Sequence, residues 1–258
     1  MTNTESDTNS DMILSLDKLS NNKNIFLLTD LQYEHQILEC IKQANSQEMY
    51  SLLEEISNVS LIKRIVAIRF QNEAVLKNED LNNPFIIWKA MNRKPQPWVA
   101  LALAKVAKEE LGIKDGDVII TIPSSGSWLG VELRTMFPNS VFPILKKELE
   151  QGDNLYAQFD VLSHSQERSA KKMFLCSNPN IFWGKRMFIF DDVVARGDAM
   201  KGVAAALGKD NIAGTAAVMD KTMQRENPNL GIGGGYSALF AIDKVEKSEA
   251  GEVDFILS

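Results

Sequence analysis

The segment that most restricts how this chain can fold is Met187-Phe-Ile-Phe-Asp-Asp-Val-Val-Ala-Arg-Gly-Asp-Ala-Met200. Four apolar residues run directly into two acids, Asp191 and Asp192. A short loop around Gly197 follows, then helical spacing over residues 199–207, closed by Gly208. A continuous apolar run that stops at polar residues and turns into a helix reads as a buried parallel strand feeding that helix. In open α/β sheets, ligands gather at the carboxyl ends of such strands. A loop that opens a helix N-terminus also favours an anion. The segment therefore predicts a covered parallel sheet with two carboxylates and an anion-seeking loop at one edge.

The chain from Trp98 onward repeats this alternation. The spacing predicts an amphipathic helix over 99–111, ended by Gly112, and a strand over 117–122 after the Asp115-Gly116 turn. A helix is expected over 127–136 and a strand over 141–145, the latter kept near an edge or bulge by Pro143. Further strands are expected at 169–176, 186–190, 212–219 and 236–245. Strands alternating with helices give an α/β fold with a doubly wound, mostly parallel sheet covered on both faces. The run Leu230-Gly-Ile-Gly-Gly-Gly235 is glycine-rich, but it follows no clear strand and opens no helix, so it reads as a turn and not as a dinucleotide fingerprint.

The first part differs in character. Residues 1–13 are polar and acidic and read as a frayed tail. Residues 14–97 are mostly helical in pattern, as in Tyr33-Glu-His-Gln-Ile-Leu-Glu-Cys-Ile-Lys and Ser51-Leu-Leu-Glu-Glu-Ile. The α/β core is expected to occupy residues 98–258.

Composition narrows the function. A net charge of −6 argues against a general nucleic-acid or membrane-surface binder. No apolar run of 18 residues suggests a membrane span. The two cysteines, Cys40 and Cys176, lack CxxC spacing and fit a reducing, cytoplasmic compartment. The two histidines, His35 and His164, have no metal-binding context.

A second segment, Ile122-Pro-Ser-Ser-Gly-Ser-Trp-Leu-Gly130, again lies between a strand and a helix. Its small residues let backbone N–H groups approach an anion, and its serines add donors. Lys146 and Lys147 follow the next strand, where a basic pair suits a pyrophosphate. The stretch Asp191-Asp192-Val193-Val194-Ala195, taken with these segments, resembles the phosphoribosyl-diphosphate (PRPP) motif of type I phosphoribosyltransferases. Arg196-Gly197-Asp198-Ala199 stands where many members carry Thr-Gly-Gly-Thr, and is closer to the xanthine branch. The resemblance covers about residues 98–245.

It implies transfer of a 5-phosphoribosyl group from PRPP to a nucleobase, a purine, with a helical N-terminal hood and a homodimer. Asp191 and Asp192 would bind the ribose hydroxyls. Ala195, Arg196, Gly197, Asp198 and Ala199 would hold the 5′-phosphate, with Asp198 as helix N-cap. Ser124, Ser125, Gly126 and Ser127, with Lys146 and Lys147, would hold pyrophosphate. Mg2+ would arrive on the substrate's own oxygens without a protein cage. The segment 148–159 would be a closing lid. Phe85, Trp88 and Trp98 are aromatic residues that could stack on a base. The alternative is a non-catalytic PRPP- or nucleotide-sensing regulator on the same fold. Residues 14–94 show no basic recognition helix that would make it a DNA-binding one.

Overall fold

The computed structural model describes residues 28–43, 46–77, 97–123, 126–162, 170–222, 230–247 and 253–257. The tail, Phe85, Trp88, Ser124, Ser125 and His164 lie outside these residues.

The main sheet has the order β1-β5-β6-β7-β8. Its strands are β1 (Val118–Thr121), β5 (Met187–Val194), β6 (Ile212–Asp220), β7 (Gly235–Lys247) and β8 (Val253–Leu257). The first four are mutually parallel, and β8 pairs antiparallel to β7. This is the mostly parallel α/β sheet that the alternation implied. β5 lies inside the sheet, where a strand covered on both faces must be apolar on both. Met187, Phe188, Ile189 and Phe190 are accordingly inaccessible to solvent.

Next to β1, the strand expected over 141–145 is reduced to one parallel bridge, Val141 to Val118 at the start of β1. Pro143 has no N–H to continue a ladder, which is the physical reason the edge stops there. The chain instead enters a separate three-stranded sheet of order β2-β4-β3, made of β2 (Leu145–Lys146), β3 (Ala157–Leu162) and β4 (Ala170–Leu175). β3 and β4 form an antiparallel pair.

Two apolar clusters separate the faces of the main sheet. On one face lies α4 (Pro97–Leu111), which packs against β6, β7 and α5 (Leu129–Met136). Its residues from Val99 to Ala107 are all buried, Lys105 included. The amphipathic reading of this helix is therefore corrected. Its outer side is covered by α2 (Ser46–Glu55) and α3 (Val59–Lys77), which follow α1 (Leu28–Gln43). A helix buried all round needs no polar stripe. Polar ties fix this layer: Lys63 bonds Glu110 (2.9 Å), whose carboxylate also accepts from the Ser237 hydroxyl on β7 (2.6 Å). The described N-terminal helices thus form an extra layer on α4, sharing its core.

The opposite face carries α6 (Asp198–Leu207) and the β3–β4 pair. Gly202 lets them meet. A Cβ there would lie 2.9 Å from Val161 Cγ2 and 3.4 Å from its Cα. Among the described residues no helix is long and apolar enough to cross a membrane.

Candidate functional site

β5 continues through the two acids to Val194, four residues beyond the expected strand end. Up to Phe190 its side chains alternate: Met187 and Ile189 join the α6-side cluster, Phe188 and Phe190 the α4-side cluster. Beyond the acids the phase is inverted, with Val193 on the α4 side and Val194 on the α6 side. The slip falls on Asp191 and Asp192. There each carboxylate accepts from the next backbone N–H, Asp192 N to Asp191 Oδ1 at 2.9 Å and Val193 N to Asp192 Oδ1 at 2.8 Å. Both acids are buried. Burial pushes the Asp191 carboxyl well above the usual range, and the neighbouring Asp192 charge adds to the rise. The backbone bond from Asp192 and the charge of Lys147 oppose it.

β1 ends beside this point, with Ile122 N–H donating to the Phe190 carbonyl (2.9 Å). The loop that follows turns back on itself, Gly126 N–H donating to Ile122 O (3.1 Å). A Cβ at Gly126 would lie 2.8 Å from that carbonyl oxygen and 3.3 Å from Asp191 Oδ1. Gly126 is thus required for the backbone to touch the acid, while its own N–H is already engaged. Any anion donors from this loop must come from its neighbours. Ser127 is exposed, and Trp128 precedes α5 without a side-chain cap bond.

The loop at 195–199 leads into α6. Gly197, not Asp198, is the N-cap, at φ 69° and ψ 14°. This left-handed geometry favours glycine, and a Cβ would also stand 2.5 Å from Leu230 Cδ2. The expectation of Asp198 as N-cap is therefore corrected. Asp198 is the first helical residue and lies in the first turn, where a carboxylate suits the helix dipole. Ala195 and Arg196 are exposed, Asp198 and Ala199 half-buried. The Arg196 carbonyl accepts from Lys201 Nζ at 2.8 Å.

The two lysines diverge. Lys146 Nζ is held by Glu150 (2.8 Å) and by both carboxylate oxygens of Asp153 (2.9 and 3.0 Å), and these partners raise its pKa. Glu150 N–H in turn donates to Asp153 Oδ2 (2.7 Å), closing a turn at Gly152. Lys147, exposed, is the lysine whose charge reaches Asp191. The segment expected as a lid over 148–159 is thus partly a pinned turn. Its end belongs to β3, whose Phe159 packs on the α6-side cluster. Trp98 is part-buried against the α4-side core.

Sequence reasoning passed over Asp220 and Tyr236. Asp220 is buried at the end of β6, paired with Val194 and accepting from Thr222 N–H (2.7 Å). An acid closing an apolar parallel strand is the same signal that singled out Asp191, but the expected strand stopped one residue short. The Tyr236 hydroxyl is buried near Asp220 with no hydrogen bond of normal geometry. Burial first, then the Asp220 and Asp191 charges, hold its phenol above the ordinary range. Among the described residues no cluster of three or more His, Cys, Asp or Glu side chains could hold a metal.

No protein-family model matches the chain, and no curated protein does. Its solved structural neighbours include adenine phosphoribosyltransferases. That of Rhodothermus marinus is 16% identical, with a TM-score of 0.44 over 59% of this chain and 82% of that one. That of Thermoanaerobacter pseudethanolicus is 16% identical, with a TM-score of 0.43 over 64% and 83%. That of Giardia lamblia, complexed with 9-deazaadenine, is 14% identical, with a TM-score of 0.42 over 61% and 83%. The likeness is one of chain outline and assigns no residue a role.

Proposed function

We propose that the protein transfers a 5-phosphoribosyl group from PRPP to a purine nitrogen. The bond from ribose C1 to the diphosphate oxygen breaks, a C1–N bond forms, pyrophosphate leaves with the electron pair, and the proton of the purine N–H is released to solvent. The observation that carries this reading is the packing of Gly126 against Asp191, with the Lys147 charge opposing the acid from a third segment. Two segments that sequence analysis chose separately, as pyrophosphate loop and ribose acids, are neighbours at the carboxyl ends of adjacent parallel strands, β1 and β5. The resemblance of residues 187–199 to the PRPP motif supplies the chemical class.

In this reading, Asp191 and Asp192 accept from the ribose hydroxyls, and their charge favours a sugar that turns cationic in the transition state. The α6 N-terminus takes the 5′-phosphate on first-turn N–H groups that have no partner within the helix. Lys147 meets the pyrophosphate. Mg2+ enters as part of the substrate, on the pyrophosphate and ribose oxygens. The same resemblance implies a homodimer, which sedimentation would check, while the two cysteines without CxxC spacing suit a reducing, cytoplasmic compartment.

Incubation with PRPP, Mg2+ and a panel of bases tests the reading. Pyrophosphate release with one purine is the expected result; no release with any base overturns it. One feature favours a second reading, that of a PRPP- or nucleotide-binding regulator. Asp198 places a carboxylate in the first turn of α6, where a phosphate would be repelled. That reading expects saturable binding of PRPP or a nucleotide without turnover.

A further inference from the structure

We propose that Lys201 is a positioning residue that orients the 195–199 loop toward a phosphate; the inference rests on the function proposed above. Lys201 is bound to this loop twice. Its N–H donates to Gly197 O at 2.8 Å, the ordinary first bond of the helix, and its Nζ donates to Arg196 O at 2.8 Å. The second bond fixes a peptide plane. In a trans peptide the carbonyl of one residue and the N–H of the next point in opposite directions. Drawing the Arg196 carbonyl back toward the helix therefore turns the Gly197 N–H outward, away from Lys201. A carbonyl oxygen is also removed from the side where an anion would sit.

Gly197 itself is held on its other side. Its left-handed backbone lies against Leu230, leaving no room for a side chain. The peptide between Arg196 and Gly197 is thus clamped between a lysine ammonium and an apolar wall. The ammonium stays on the carbonyl side, so Lys201 acts through the loop and not by touching the ligand.

The test is calorimetry on the full chain with two ligands, ribose 5-phosphate and magnesium pyrophosphate. Lys201→Met keeps the apolar stem and removes the donor. Loss of a charge-assisted bond that orients the site is expected to weaken ribose 5-phosphate binding about tenfold. Pyrophosphate affinity should stay at the wild-type value, and Lys201→Arg should restore ribose 5-phosphate binding. The ratio between wild type and Lys201→Met should also survive high salt, because a short-range bond is little screened. Equal affinity of the two for ribose 5-phosphate overturns the proposal. So does an equal loss for both ligands, which marks a general structural defect, or a ratio that vanishes in high salt, which marks bare charge. If the wild type binds pyrophosphate but not ribose 5-phosphate, this inference fails alone. If it binds neither, nor PRPP, the proposed function fails and this inference falls with it.

Discussion

The two faces of the main sheet are built by different means. On the α4 side, burial is continuous. Phe188, Phe190, Val218 and Leu239 meet a helix whose middle is wholly enclosed, and α2 and α3 seal it from outside. On the α6 side the cover is one ten-residue helix and a small antiparallel sheet, and particular contacts fix their places. Gly202 seats β3, Gly197 rests on Leu230, and Lys146 gathers Glu150 and Asp153. The first face is held by bulk, which tolerates exchange of one apolar residue for another of like volume. The second is held by a few residues that admit little substitution, and it supplies the 195–199 loop and Lys147, whereas the Gly126 loop leads to α5 on the first face. Bulk packing thus dominates one face and particular contacts the other, with β5 and the surroundings of Asp191 shared by both.

The strongest way to break this division is Phe188→Ala. A fully buried aromatic ring on the bulk side should cost about 3–5 kcal/mol of stability in denaturant unfolding, with PRPP affinity unchanged in the fraction that remains folded. A large loss of affinity in folded protein would show that the faces are not separable.

The converse change is Asp191→Asn together with Asp192→Asn. Charge-assisted bonds to the ribose hydroxyls are worth roughly 1.5–3 kcal/mol each, so PRPP binding should weaken about a hundredfold or more by calorimetry. Circular dichroism should still report a native fold. Unchanged affinity in the folded double variant would remove the ribose-binding role.

Asp191→Asn alone sharpens the same point through pH. The folded-state pKa of Asp191 is raised, by burial first and then by Asp192. Its contribution to stability is therefore fully present below the ordinary carboxylate pKa and is lost as pH rises through the raised value. The amide, which cannot ionise, removes this loss. Asp191→Asn should melt at the same temperature as wild type in acid and a few degrees higher above neutrality. A lower melting temperature at both pH values would contradict the burial of an ionisable acid without full compensation.

The smallest effects separate the two lysines. Lys146→Met should release the 150–153 turn with only a marginal shift in melting temperature, since exposed ion pairs contribute little, and should leave pyrophosphate binding intact. Lys147→Met should weaken pyrophosphate severalfold. The reverse ranking would return the anion-binding role to Lys146.

Much of the fold was legible because periodicity reports burial. The apolar run before Asp191 and the apolar strand over 212–219 could only be covered parallel strands. Where they were misread, a neighbour distant in sequence had intervened. The amphipathic reading of 99–111 failed because α2 and α3 cover its outer side. β3 was missed because the resemblance gave residues 148–159 to a lid, although Ala157-Gln158-Phe159-Asp160 alternates apolar and polar residues as a strand does and pairs with β4. At the site, residue types located the acids and the glycine loops. They did not reveal that Lys146 answers to Glu150 and Asp153, because which of two adjacent lysines faces inward depends on strand register. Nor did they reveal Lys201, whose bond to Arg196 is a matter of side-chain reach along a helix.

Gly202 has a consequence for how sequences of this architecture can diverge. The helix that begins at the 195–199 loop is also the seat of β3, and the two surfaces meet where one lacks a side chain and the other has Val161. A larger residue at 202 would lift β3 or push the helix along its axis, displacing its first turn. Position 202 is therefore tied to position 161 as closely as to its neighbours in the chain. Among descendants that keep this packing, bulk gained at one should be matched by bulk lost at the other, a paired substitution that a set of aligned relatives would display as covariation between two surfaces far apart in sequence.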